Sequence, residues 1–194
     1  MTELLPLMSY CFVMSATPGP NNVMLATTGA SFGYRGALPV ILGIQAGLLA
    51  QTMLMCLGLG SVFVAYPMAQ QVLRIAGALY LMFLAWKLAG ASVAGTSAPK
   101  AVSFAQATLF QALNPKSWLK AITMASVFLP AQGNLLANAL LVSVIGAVVG
   151  TPCNVMWALF GVSIRSVLTA PRSQRMFNVA MGGILMVLAV QFLR

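Results

Sequence analysis

Apolar residues run along this chain in long stretches, and polar or turn-forming residues are confined to short gaps between them. The stretches occupy about 4–28, 37–65, 72–89, 104–130, 135–164 and 176–193. A hydrocarbon core of about 30 Å needs roughly 20 apolar residues per helix, so the pattern predicts about six transmembrane helices. The gaps hold Gly33–Gly36 with Arg35, Tyr66–Gln71, a small-residue linker at 90–103, Pro130–Asn134, and 165–175. The longer stretches exceed what a bilayer needs and are expected to tilt or break.

Two stretches are interrupted from within. The first contains SATPGPNNVM at 15–24, placing Pro18 and Pro20 about midway along it. Proline removes a backbone donor and pushes the preceding residue, here Thr17, away from α geometry. An unpaired backbone group costs several kcal/mol in hydrocarbon, so such a break persists only beside protein or a water-filled cavity. Pro20 after Gly19 suits the first turn of a new half-helix, whose free N–H groups favour an anion. Carbonyls released around Met14 to Thr17 suit a cation, and Asn21 and Asn22 add amides. A zwitterionic amino acid carries both charges. The plainer reading is a proline kink repaired by neighbouring helices.

The second interruption is Asn114-Pro115-Lys116, in the fourth stretch, with Lys116 and Lys120 one helical turn apart. Starting the span after Lys116 would leave only about 14 residues, too few to cross. At least one ammonium is therefore expected below the interface, where ionisable groups are functional candidates. Snorkelling to the cytoplasmic surface is the alternative, more accessible to Lys116 than to Lys120.

An internal repeat aligns the two halves. Gly43, Gly47, Gln51 and Gly58 have the same spacing as Gly146, Gly150, Asn154 and Gly161. Leu81, Met82, Leu84 and Ala85 match Leu185, Met186, Leu188 and Ala189, and Pro18 matches Pro115 as a central proline. Three spans per copy is an odd number, so the second copy crosses the membrane in the opposite sense. Inverted repeats with paired broken helices are the architecture of secondary transporters. The chain thus reads as one transmembrane domain over 1–194, with repeat one at about 1–89 and repeat two at about 104–194. Gly43/Gly47 and Gly146/Gly150 are small-xxx-small pairs expected to pack helices closely. Gln51 and Asn154 share their faces, which leaves interhelical hydrogen bonding and substrate contact both open.

Composition supports the membrane reading: 60% of residues are hydrophobic, 6% are charged, and mean hydropathy is +0.95. Ten Lys and Arg stand against one acid, Glu3, and no His. The cations are scattered singly, without the basic patch and interleaved aromatics of a nucleic-acid binder. They read as topology marks instead. Arg35, Lys87, Lys100, Arg165, Arg172 and Arg175 fall in the loops after stretches one, three and five, against Arg74 and Arg194 on the other side. That bias puts those loops in the cytoplasm and both termini outside. No Lys or Arg precedes Leu4, so the first stretch is expected to be a retained span rather than a signal peptide.

Cys11, Cys56 and Cys153 are far apart and read as small buried hydrophobes. An enzyme would need a nucleophile with a base or a metal cluster, which one acid and no His do not supply. No cofactor or metal is expected. Tyr10, Tyr34, Tyr66, Trp86 and Trp157 read as interfacial anchors. A passive channel or a structural membrane subunit is the alternative to a carrier, and the residues leave a homo-oligomer open.

SATPGPNN followed by GYRGAL and LGIQAG resembles the amino-terminal signature of the LysE/RhtB family of amino-acid exporters. RIAGALYLMFLAWKL, ALNPKSW and GTPCNVMWALFG extend the likeness over nearly the whole chain, closest to the cysteine and O-acetylserine exporter branch. The resemblance implies a multi-pass exporter of the bacterial inner membrane, with the bilayer and a small-molecule amino acid as partners. It implies roles for Pro18, Gly19, Pro20, Asn21, Asn114 and Pro115. Some members carry an acidic residue in the fifth span, where this chain has Asn154. Without an intramembrane acid a cationic substrate meets uncompensated charge, so small neutral amino acids fit better. The candidate contacts are Thr17, Pro18, Gly19, Pro20, Asn21, Asn22, Gln51, Asn114, Pro115 and Asn154, with Lys116 or Lys120 as carboxylate partner.

Overall fold

Proline sets where half of the helices begin. Its missing N–H costs nothing in a first helical turn, and its φ is already helical. In a computed structural model describing residues 4–89, 101–165, 167 and 170–193, α2 (Pro20–Leu54), α4 (Pro67–Ala89), α6 (Pro115–Val127) and α8 (Pro171–Leu193) all open on proline. The others are α1 (Leu4–Ala16), α3 (Gly60–Ala65), α5 (Phe104–Leu113) and α7 (Leu135–Ile164). A π-helical turn, Met55–Leu59, joins α2 to α3. Most of the small-residue linker, with Lys100, and the terminal Glu3 and Arg194 lie outside the described residues.

At α5 and α7 polar side chains start the helix. Ser103 accepts from the Gln106 N–H while the Gln106 side chain accepts from the Ser103 N–H, a reciprocal cap on α5. Asn134 caps α7 through the Ala137 N–H at 3.0 Å.

Boundaries move for the same reason. The polar gaps at 66–71 and 165–175 are shorter than the apolar pattern predicts, because Pro67 and Pro171 start helices inside them. The Gly33–Gly36 turn contracts to a single break at Gly33, whose φ of 71° and ψ of −178° are open to glycine. Helical geometry resumes at Tyr34, so α2 is two helices meeting at Gly33. The second stretch holds an interruption that periodicity misses, at Gly58 in the π-helical turn, with φ 116°.

The helices enclose polar groups and turn apolar ones outward, the reverse of a water-soluble protein. Leu5, Trp86, Leu109, Val148 and Met186 are exposed, while Asn22, Gln51, Gln111, Asn114, Lys120 and Asn154 are buried. Pro20–Leu59, Leu135–Ile164 and Arg172–Leu193 are each long and apolar enough to cross a membrane. The molecule is an all-helical membrane protein. With 13 residues α1 reaches only about 20 Å at 1.5 Å per residue, too short to cross alone. The same holds for α5 and α6, of 10 and 13 residues.

α2 lies centrally, packed most extensively on α7 and then on α5, and α4 packs on α8. Its core residues Leu25, Val40, Ile41 and Ile44 meet Ala107 of α5 and Ala158 of α7. That packing brings the two helix breaks together.

Candidate functional site

Breaking α1 at Thr17 frees carbonyls at its C-terminal end, and every freed acceptor in hydrocarbon needs a donor. Lys116 supplies three N–H bonds, to the Thr17 carbonyl oxygen at 2.8 Å, Thr17 Oγ1 at 2.9 Å and the Pro18 carbonyl oxygen at 3.2 Å. A cation suits this end of a helix dipole. Asn22 Nδ2 donates to the carbonyls of Ser15 at 3.1 Å and Thr17 at 2.8 Å. Trp157 Nε1 donates to the Ala16 carbonyl at 3.2 Å. The carbonyls of Ser15, Ala16, Thr17 and Pro18 are therefore held by the protein's own donors. Trp157, read from sequence as an interfacial anchor, is part of this break.

The second break is built on amides. Asn114 caps α6, its Oδ1 accepting from the Lys116 N–H at 3.1 Å, and its Nδ2 donates to Asn21 Oδ1 at 3.0 Å. Asn21 and Gln111 exchange two side-chain hydrogen bonds, each 3.0 Å. Gln51 Nε2 donates to the Gln111 carbonyl at 2.6 Å, and Ser117 Oγ to the Asn114 carbonyl at 2.8 Å. Asn21 thus ties the start of α2 directly to the α5–α6 break.

Between the breaks lies a cavity of about 30 Å³. Gly19, Pro20, Asn21, Asn22, Asn114, Lys116, Lys120 and Asn154 line it, together with Met14, Ser15, Leu48 and Ser117. It has room for about two waters, less than any amino acid needs. Lys120, 6% exposed, donates to Ser15 Oγ at 3.0 Å. Asn154 is equally buried, and its Nδ2 has no hydrogen-bond partner. Two ammonium groups and one unsatisfied amide N–H thus line the same small space. Glu3 is the chain's one carboxylate side chain and lies outside the described residues.

Four sequence candidates stand off the cavity. Thr17 meets it through Lys116 and Asn22, Pro18 through Lys116, and Gln51 sits behind Gln111. Pro115 faces a separate apolar cavity with Phe63, Arg74 and Trp118. Gly43 and Gly47 lie against α5, where an added Cβ would crowd Ala107 and Gln111. Gly146 lies against Met124, and a Cβ on Gly150 would meet Ser15 Oγ at 3.3 Å.

Sequence reasoning passed over Ser15, Gln111 and Ser117. Gln111 carried a readable signal, an amide one turn before Asn114 inside an apolar stretch. Ser15 and Ser117 carried none, since small hydroxyl residues are ordinary in membrane helices.

An apolar, all-helical body that buries a polar, doubly cationic cavity where two broken helices meet defines the class: a multi-pass membrane translocator. Residues 12–194 match the model of the LysE type translocator family, and the chain belongs to that family. It is 36% identical over 155 residues, 79% of each chain, to a "Cysteine/O-acetylserine efflux protein" of Salmonella typhimurium. It is 37% identical over 156 residues, again 79% of each, to proteins of that name in Escherichia coli K12 and Shigella sonnei. No solved structure matches the chain.

Proposed function

We propose that this chain is a secondary transporter that exports small neutral amino acids, or related metabolites of the cysteine and O-acetylserine kind, across the bacterial inner membrane by alternating access. Family membership and the names of its relatives support the substrate class and the direction. The observation that carries the reading is the buried cavity at the paired breaks, lined by Lys116, Lys120, Asn21, Asn114 and Asn154. A zwitterion suits it, because a carboxylate meets ammonium and amide donors while an extra cation meets no acid among the described residues.

The proposed architecture is six spans in two inverted repeats, 1–89 and 104–194, with both termini outside. Supporting it, the glycine ladder of the first copy lies against α5, and Gly150 of the second copy lies against α1. Each amide-bearing helix thus packs on the broken span of the opposite repeat. Substrate contacts are assigned to Asn21, Asn22, Asn154, the two lysines and the Thr17 and Pro18 acceptors that Lys116 holds here, with Gly19, Pro20, Asn114, Pro115 and Gln51 shaping the breaks.

Counterflow in proteoliposomes tests this. Vesicles holding purified protein and preloaded with unlabelled L-cysteine or O-acetyl-L-serine should accumulate the labelled compound transiently above equilibrium. Lysine preloading should not drive lysine uptake. Flux without an overshoot would identify a channel, and lysine counterflow would remove the charge argument.

A further inference from the structure

Lys116 makes three hydrogen bonds in the geometry that an amino acid's own ammonium would need. Its three N–H groups meet three acceptors, Thr17 O, Thr17 Oγ1 and Pro18 O, at 2.8, 2.9 and 3.2 Å. All three belong to the other half of the molecule, 98 or 99 residues away. The backbone makes room for this side chain: a Cβ at Gly19 would lie 2.9 Å from Lys116 Cδ and 3.0 Å from its Nζ. Lys116 is half-buried, whereas Lys120 is fully enclosed. Of the two ammonium groups, Lys116 is the one with freedom to leave.

We propose that Lys116 is a tethered stand-in for the substrate's ammonium, holding the empty site shut and yielding its three acceptors when an amino acid enters. This rests on the amino-acid reading above. The incoming α-ammonium takes Thr17 O, Thr17 Oγ1 and Pro18 O. The displaced lysine then pairs with the substrate's carboxylate, beside the unpartnered Asn154 N–H. Charge is conserved in the exchange, since each released group finds a new partner on the same ligand. An amine without a carboxylate has no such partner to offer, so displacing Lys116 leaves its ammonium beside Lys120 and the incoming amine with no counter-charge. A lysine latch therefore selects for zwitterions over simple amines without using a carboxylate among the described residues.

The experiment compares L-cysteine with cysteamine, the same molecule lacking its carboxylate, by titration calorimetry on purified protein. Wild type should bind L-cysteine and bind cysteamine far more weakly. Lys116→Met vacates the three acceptors. If the latch leaves them free in about a tenth of molecules or fewer, cysteamine should gain roughly tenfold or more in affinity. L-cysteine should lose its advantage, and Lys116→Arg, which keeps a resident cation, should still exclude cysteamine. Lys116→Ala repeats the test with the side-chain stem removed, in case Met crowds Gly19. Cysteamine affinity no higher in both Lys116→Met and Lys116→Ala than in wild type overturns the latch. L-cysteine failing to bind wild type while cysteamine binds the variants supports the latch and removes the proposed substrate class instead.

Discussion

Two buried amides that the proposed repeat aligns have different surroundings. Gln51 Nε2 donates to the Gln111 carbonyl, so its side chain holds helix α2 to the second break even though its Oε1 has no partner. Asn154 has an unpartnered Nδ2 at the wall of the cavity. Replacing Gln51 by Leu should cost stability, about 1 kcal/mol for an interhelical hydrogen bond in a membrane protein. Asn154→Leu removes an unsatisfied polar group and should leave the melting temperature equal to or above that of wild type. It should nonetheless cut cysteine counterflow by about tenfold, the value of roughly one hydrogen bond to a charged carboxylate. Melting curves and counterflow on the two variants check this. A stability loss in Asn154→Leu, or full transport, would reassign that residue to packing.

At the scale of helices, α2 and α7 cross so closely that their backbones touch. A Cβ at Gly29 would overlap the Ala158 carbonyl, and one at Gly161 would overlap the Ala26 carbonyl. The obstructing atoms are backbone, which moves only with its helix. Gly161→Ala should therefore destabilise by about 1–3 kcal/mol, as overpacking does. Gly183→Ala is the control, because nothing lies within 4 Å of that position. Thermal melts in detergent should separate the two, and equal melting temperatures would mean the crossing relaxes freely. The repeat alignment paired Gly161 with Gly58, yet Gly58 serves a positive-φ bend in the π-helical turn. Equal spacing carried the same residue type to different uses, one for close approach and one for backbone freedom.

For the whole molecule, the proposed topology has a direct test. Cys11, Cys56 and Cys153 are all buried, so background labelling of native thiols should be low. Gln132→Cys, between α6 and α7, should react in intact cells with a membrane-impermeant maleimide. Val167→Cys, between α7 and α8, is 68% exposed but should react only after the cells are opened. The opposite pattern would invert the molecule and place both termini in the cytoplasm.

The apolar pattern by itself determined that the chain is helical and lives in a bilayer, since hydrocarbon leaves a spanning backbone no other partner than itself. Pro18, Pro20 and Pro115 also marked both breaks, because a missing N–H is a local property written in the residue. Boundaries at Pro67 and Pro171 were legible for the same reason, though hydropathy outweighed them. What the sequence did not contain was who answers whom across the breaks. Thr17 and Lys116 are 99 residues apart, as the length of that hydrogen bond's loop records. Only the packing of α2 between α5 and α7 brings them together. Tertiary structure therefore decided that the freed carbonyls meet the protein's own lysine, that Gln51 is a tie, and that Asn154 is left facing the cavity. The first two are pairings between distant groups and the third is the absence of one, and pairing depends on distances that no local pattern encodes.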